Sequence, residues 1–345
     1  MARKSLVQIR DELGRLSRSG LDWQAFSAEA IGVIGGVVGA DTWCVAAADP
    51  STLMMTGITG DHPVDDHSRF FELEYGASDF LLQTDLARAK PHVGALHLTT
   101  RGRPQLSVRW REMFEPVGLH DQLRGALVSP SGCWGFFSLA RAKSSRVFSD
   151  SDVAFVSAVV RKFAEGLRAA VLADRAQTPN ASSDPALLML ADDLTVVEVS
   201  ERTQEVLAES VQLGDPAPPE ILAVAIQGRL SIERRPSGPL ATTRLAGPKG
   251  WLRAHAIPLV RREQTRIAVI LEHVPPTEAA ELMLRAHGLT PRQAQVTRQV
   301  LAGCSTDEIA QALHVSPLTV QQHLKSVFAK LGVGSRRELV AKLYS

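Results

Sequence analysis

The sequence is poor in cysteine and in long apolar runs, and each shortage excludes a class of protein. Its 345 residues include 3 cysteines, which lie far apart with no Cys-x-x-Cys pair, so the pattern indicates neither a zinc site nor a dithiol redox motif. We expect buried thiols in a reducing compartment. The longest apolar run, Ile31 to Ala40, is much shorter than the roughly 18 residues of a membrane-spanning helix. No apolar leader follows the first residues, so we expect a cytoplasmic protein with no membrane partner.

An excess of charge of one sign is also missing from the chain as a whole. The 38 Lys and Arg balance 37 Asp and Glu, whereas residues 276 to 345 hold 8 against 5. This local surplus favours a polyanionic partner at the carboxyl end, although a solvated helical surface has the same pattern. The length fits two or three globular domains.

The first segment combines helical and strand patterns. Residues 21–38 have helical periodicity, and Ser149 is an N-cap for a long helix whose apolar stripe includes Phe163 and Leu167. The strand Trp134-Gly-Phe-Phe137 and the helix start Phe148-Ser-Asp150 resemble those of GAF sensor domains, which implies a GAF-like α/β domain over residues 1–176. Strands are predicted at Thr42–Ala48, Leu53–Ile58, Leu123–Val128 and Trp134–Leu139, the last two joined by the loop Ser129-Pro-Ser-Gly132.

A polar break from Gln177 to Pro185 and the pair Pro275-Pro276 delimit a second segment. The order of its elements resembles a PAS-like α/β domain over residues 184–274. Its strands are predicted at Ala186–Leu190, Thr195–Val199, near Leu240, at Trp251–Pro258 and at Ile267–His273, with helices near Thr203–Ala208 and Glu220–Gln227.

The third segment, residues 277–345, has dense helix-start signals. Thr290 with Gln293 and Ser305 with Glu308 are capping boxes, and Ser316 followed by Pro317 begins a third helix. Ser335 with Glu338 caps a fourth helix. At 100° per residue, Val320, Leu324, Val327 and Leu331 share one side of the third helix, and Leu318, Gln321, Gln322, Lys325 and Ala329 gather on the other.

Glutamine can pair with adenine and lysine with guanine or phosphate, so the polar face suits major-groove reading. Leu289-Thr-Pro-Arg-Gln-Ala-Gln-Val296, Gly303-Cys-Ser-Thr-Asp-Glu-Ile-Ala310 and Lys330-Leu-Gly-Val-Gly-Ser-Arg336 resemble the LuxR-type DNA-binding domain along its whole length. The resemblance implies an all-α four-helix domain containing a helix-turn-helix. The DNA-binding residues that it implies are Thr306, Ser316, Thr319, Gln321, Gln322, Lys325, Lys330 and Arg336.

Departures from the family pattern reduce positive charge in this segment. Gln293 stands for the usual acid, Leu318 and Gln321 stand for common basic residues, and Gly334 replaces a frequent Arg. Thr297 and Gln299 replace Leu. We therefore expect weak phosphate affinity in a lone domain and a need for dimerisation. A scaffold whose helical tail no longer contacts DNA is an open alternative.

A metal-dependent sensor or enzyme is another alternative, with its chemistry at His62, Asp65, Asp66 and His67. A polar loop with chance histidines has the same sequence, and no third, well-separated ligand motif accompanies it. No nucleophile elbow, Walker loop or dinucleotide fingerprint is present. The expected protein is therefore a non-enzymatic regulator without cofactor, metal or catalytic residue.

The sequence thus predicts an α+β multidomain transcription regulator whose amino-terminal sensor domains control a DNA-binding domain. Its expected partners are double-stranded DNA, a small-molecule effector and a second copy of the chain. RNA polymerase is a further candidate partner.

Overall fold

The computed structural model describes residues 5–173, 184–207, 211–234, 240–247, 250–261, 264–275, 278, 280, 283–284 and 287–344. Most of the predicted linker from Gln177 to Pro185, together with Ala208 and Pro276, lies outside them. The chain divides into two compact units, one of residues 1–129 and 133–273 and one of Pro130–Gly132 with Val274–Ser345. Within the described ranges, no helix has both the length and the apolarity needed to cross a membrane.

A five-stranded sheet in the order β2-β1-β5-β4-β3 organises the first part of the amino-terminal unit. The strand β1 pairs antiparallel with β2 and with β5, and β3 pairs antiparallel with β4. The elements in chain order are α1 Leu6–Leu16, α2 Trp23–Val38, β1 Thr42–Ala48, β2 Met55–Gly60, α3 His67–Gly76, α4 Gln83–Arg88, β3 Val93–Ala95, α5 Leu96–Thr99, β4 Leu119–Ser129, β5 Gly132–Ala142 and α6 Asp150–Ala173.

Helices α1, α2 and α6 pack together on this sheet. Ser149 caps α6 as predicted, because its Oγ accepts the Asp152 N–H at 3.3 Å. The stripe of α6 that includes Phe163 and Leu167 is fully buried. Phe163 lies 5.9 Å from Phe26 of α2 and 6.1 Å from Phe137 of β5, measured between ring centroids. The long helix therefore closes the core of the first part.

A second five-stranded sheet follows in the same unit, in the order β7-β6-β10-β9-β8. Its pairings are antiparallel. The elements are β6 Ala186–Leu190, β7 Val196–Val199, α7 Glu201–Leu207, α8 Pro219–Arg234, β8 Ala241–Gly247, β9 Gly250–Arg261 and β10 Gln264–His273.

Helix α8 packs on both parts of the amino-terminal unit, contacting α3 and β2 as well as β8 and β9. Its residues Ile221 to Ile226 are all buried, which is typical of a helix surrounded by apolar neighbours. The helix extends past its predicted end at Gln227 because Gly228 lets it approach β9 closely. A Cβ at this glycine would lie 2.9 Å from the Ala256 Cβ.

The carboxyl-terminal unit is helical where it is described beyond residue 286. Three capping predictions are confirmed by side-chain bonds from Thr290, Ser305 and Ser316 to backbone N–H groups three residues on. Ser335 likewise accepts the Glu338 N–H at 3.1 Å. The helices are α9 Pro291–Leu301, α10 Thr306–Ala312, α11 Pro317–Leu331 and α12 Arg336–Tyr344.

The observed α+β class, with two antiparallel sheets and a helical carboxyl end, agrees with the prediction. The prediction of three buried thiols is only partly right. Cys133 is buried, whereas Cys44 and Cys304 are half-buried.

Candidate functional site

Helix α11 separates an apolar side from a polar one, as the helical angles predict. Val320, Leu324, Val327 and Leu331 are buried and join the core that also holds Ile309 of α10 and Leu339 of α12. Gln321, Gln322 and Lys325 are exposed on the other side. Leu318, 65% exposed, lies at the start of the helix.

The three polar side chains of this face have no hydrogen bond to any other residue that the structure describes. Gln321 and Gln322 each offer an amide donor and acceptor, and Lys325 offers three donors. Such groups match base edges and phosphates in the major groove. The face is therefore available to an external polar partner.

Ser316 and Thr319 form the start of α11. Ser316 Oγ accepts the Thr319 N–H at 3.1 Å, and the two hydroxyl oxygens lie 2.8 Å apart. Ser316 thus fixes the first turn of the helix, while Thr319 is half-buried beside it.

Thr306 and Arg336 are joined to each other. Arg336 donates from Nη2 to Thr306 Oγ1 at 3.2 Å and from Nη1 to the Cys304 carbonyl at 2.9 Å. Both residues line one hollow of the surface together with Gln321 and Lys325. The structure therefore brings four of the predicted site residues together.

Lys330 lies apart from that hollow and makes internal contacts. Its Nζ donates to the Gly288 carbonyl at 2.8 Å and to Gln293 Oε1 at 2.7 Å. Gln293 also donates from Nε2 to Ser326 Oγ at 2.8 Å and accepts the Thr290 N–H at 3.0 Å. The amide thus bonds three residues, including Ser326, to which a carboxylate could not donate.

Two further features of this unit escaped the sequence analysis. Arg292 donates from Nη2 to the Leu313 carbonyl at 2.5 Å, which ties α9 to the end of α10. His314 begins the turn before α11 with a φ of 52°, a left-handed conformation that is uncommon for a residue with a Cβ. No glycine or asparagine marks the position, so the sequence gives no signal for it.

Residues 287–343 match the family model described as bacterial regulatory proteins, luxR family. The carboxyl-terminal unit therefore carries a LuxR-family helix-turn-helix domain. The same region is 54% identical over 52 residues to Mb0914c of Mycobacterium bovis, which is named as an HTH-type transcriptional regulator. It is 46% identical over 52 residues to the transcriptional regulatory protein ComA of Bacillus subtilis.

These two matches cover 15% of this chain, but 6% of Mb0914c and 24% of ComA. The likeness to these regulators therefore concerns the LuxR-family domain alone. Among solved structures, the phycoerythrobilin-bound GAF domain of a cyanobacterial phytochrome is 10% identical, with a TM-score of 0.31, over 50% of this chain and 98% of that domain. No step of our argument rests on a TM-score of this size.

The loop with His62, Asp65, Asp66 and His67 does not gather into a metal site. Asp66 accepts the Arg69 N–H at 2.9 Å and so caps α3, and the His62 ring meets the Phe114 ring edge-on at 5.0 Å. Among the described residues, no three His, Cys, Asp or Glu side chains lie close enough together to hold a metal ion. The relatives favour the regulator over this alternative.

Proposed function

We propose that the protein is a sequence-specific DNA-binding transcription regulator. The observation that carries the proposal is the exposed face of α11, with Gln321, Gln322 and Lys325 unpaired, inside a LuxR-family domain. In this proposal α11 enters the major groove and these side chains, with Thr319, contact base edges.

Ser316, Thr306, Lys330 and Arg336 then lie towards the DNA backbone. Lys330 and Arg336 already donate to acceptors within the unit, so fewer of their donors remain for phosphate. Low phosphate affinity makes a homodimer on a two-fold symmetric site the favoured arrangement, because two half-sites add their contacts.

The amino-terminal unit is the proposed sensor, with a GAF-like domain over residues 1–176 and a PAS-like domain over residues 184–274. The support is the shared strand order of the two sheets. A small-molecule effector would change DNA binding by its different affinity for two arrangements of the chain. RNA polymerase is the proposed partner once the dimer is on DNA.

Selection of bound fragments from a random DNA pool tests the proposal with the full-length protein. We expect an enriched two-fold symmetric motif. Gln321→Ala should relax the motif at one position of each half-site, because a two-pronged base contact contributes about 1–3 kcal/mol. Gln295→Ala is the matched control, since this glutamine is exposed on α9 and accepts a bond from Arg292; it should leave the motif unchanged.

The salt dependence of binding separates the regulator from a scaffold. Affinity for the selected motif should fall steeply with salt, and Lys325→Ala should reduce the slope by about 1 if its ammonium meets a phosphate. Lys143→Ala, which removes an exposed cation of the amino-terminal unit, is the control for net charge. A preparation that enriches no motif in any variant and shows no salt slope would support the scaffold instead.

A further inference from the structure

A cavity lies against one face of the first sheet. Cys44 and Ala46 of β1 face it next to Ser138 and Phe136 of β5, with which they pair in register. The loop that holds His62 covers it from the side of α3. Most of the exposed lining is apolar, so the cavity favours a ligand with an apolar body.

Charge in the cavity wall is compensated by neighbouring residues. Arg124 lines the wall and donates from Nη2 to Glu74 Oε2 at 2.8 Å and from Nη1 to the Leu81 carbonyl at 2.6 Å. Burial lowers the pKa of His62 to about 4 and raises the pKa of the Cys44 thiol to about 12. Both are therefore neutral at pH 7, and an ionic ligand would find no free counter-charge.

One acceptor in the wall is left without a partner. Gln83, 5% exposed, is held by its backbone N–H, which donates to Glu74 Oε1 at 2.5 Å. Its Nε2 lies 3.7 Å from Met55 Sδ, and its Oε1 has no hydrogen-bond partner in the described structure. His62 Nε2 is a second buried atom of the lining without a partner. Buried polar atoms of this kind are uncommon in native proteins and call for a specific cause.

We propose that this cavity binds a small uncharged molecule with an apolar body and one hydroxyl group, which donates its hydrogen to Gln83 Oε1. The proposal rests on the sensor role given above to the amino-terminal unit and adds the chemical class of its ligand. His62 Nε2 is the second polar atom available to that hydroxyl or to a second polar group.

The size of the cavity limits the ligand. Its volume is about 60 Å³, and one water needs roughly 10–15 Å³ on this measure. The space therefore suits about four to six non-hydrogen atoms. Butan-1-ol has this size, and its isomer 1-methoxypropane has the same atoms but no hydroxyl donor.

The test is a titration of the full-length protein carrying ¹³C-methyl methionine, followed by NMR. Met55 lines the cavity beside Gln83, and Met55→Leu identifies its signal. We expect butan-1-ol to shift this signal saturably and to bind about tenfold more tightly than 1-methoxypropane. Butyrate and butylammonium should leave the signal unmoved over the same concentrations.

Gln83→Met removes the acceptor while keeping the length of the side chain. In this variant the tenfold preference for the alcohol should disappear while weak binding of both isomers persists. Gln227→Met is the matched control, because Gln227 lies on α8 outside the cavity lining; it should keep the preference. The comparison of isomers in the unchanged protein holds even where Gln83→Met does not fold.

Equal affinity for the two isomers, tighter binding of an ion, or a Met55 signal that no compound moves would overturn the ligand class. The last result would mean that the cavity holds water only. DNA selection on the same preparation keeps the two proposals separate. A protein that enriches a motif without binding butan-1-ol loses only its ligand class, and one that binds butan-1-ol without enriching DNA loses the regulator.

Discussion

The two sheets of the amino-terminal unit have the same strand order but bury different side chains. In the first part, the buried charged residues include Glu74, Arg109, Arg124, Arg141 and Asp152. In the second part, over its described residues from 184 to 273, the buried polar side chains are two threonines and none is charged. Topology therefore does not determine what a sheet covers.

The difference follows from what lies on each sheet. Helix α8 closes the second sheet with a continuous apolar segment from Ile221 to Ile226. The first sheet carries Gln122, Arg124 and Ser138 on the face that holds the cavity, so its polar groups need partners. The second sheet is built for packing, and the first has the chemistry for recognition.

Breaking the buried ion pair of the first sheet should have the largest effect. Arg124→Met leaves Glu74 buried with one guanidinium at 3.5 Å, that of Arg109, and should lower the free energy of unfolding by about 3–5 kcal/mol. All five tryptophans precede residue 274, so tryptophan fluorescence during urea unfolding follows the amino-terminal unit.

Arg69→Met is the matched control for that prediction. Arg69 pairs with Glu72 and Glu112 at the surface with 42% of its side chain exposed, and the expected loss is below about 1 kcal/mol. Equal losses in the two variants would show that the charges of the first sheet are not a buried network.

An isoleucine-to-alanine change in each sheet tests packing directly. Ile226 of α8 is fully buried, and Ile226→Ala should destabilise the unit by about 2–5 kcal/mol through the cavity that it leaves. Ile58→Ala should cost less, because Ile58 is half-buried and already borders empty space. Urea unfolding of both variants measures the order. A larger loss from Ile58→Ala would contradict the assignment of tight packing to the second sheet alone.

Local signals account for what the sequence predicted well. The strands Thr42–Ala48 and Ala186–Leu190 agree with the structure at both ends, since their apolar runs are bounded by polar residues. The exposed face of α11 follows from helical angles alone. The DNA-binding roles on that face stay predictions.

Long-range partners account for what the sequence missed. The strand β4 extends from Leu119 to Ser129 rather than over Leu123–Val128, because Asp121 and Gln122 look like surface residues until the fold buries them. Only two residues, Pro130 and Ser131, remain for the turn before β5.

The second strand begins later than predicted for a local reason. Leu53 has a φ of 64° and so belongs to the turn, and β2 begins at Met55. The cavity itself was beyond prediction, since it depends on residues from four strands, a helix and a loop.

Acid should weaken the first sheet through His62. Burial lowers the pKa of this imidazole to about 4, with Asp61 raising it and Arg124 lowering it further. Since the unfolded chain takes up its proton near pH 6.5, the stability contribution of neutral His62 is full above that pH and is lost as the pH falls towards 4.

The expected loss is about 2 kcal/mol after allowance for the partly exposed ring. Urea unfolding at several pH values measures it, and His62→Phe should flatten that part of the profile. Asp61→Asn should steepen it, because the carboxylate that raises the pKa is gone. An unchanged profile in His62→Phe would assign the acid sensitivity to other groups.

The smallest effect should come from the ion pair that links the two parts of the unit. Arg229 Nη2 of α8 lies 2.5 Å from Glu72 Oε1 of α3, with 21% and 32% of the side chains exposed. Arg229→Gln should cost about 0.5 kcal/mol, and the cost should vanish near 1 M salt. Arg161→Gln, which breaks an exposed pair within α6, is the control for a pair inside one part. A loss of several kcal/mol at Arg229 would mean that charge, and not the apolar surface of α8, joins the two sheets.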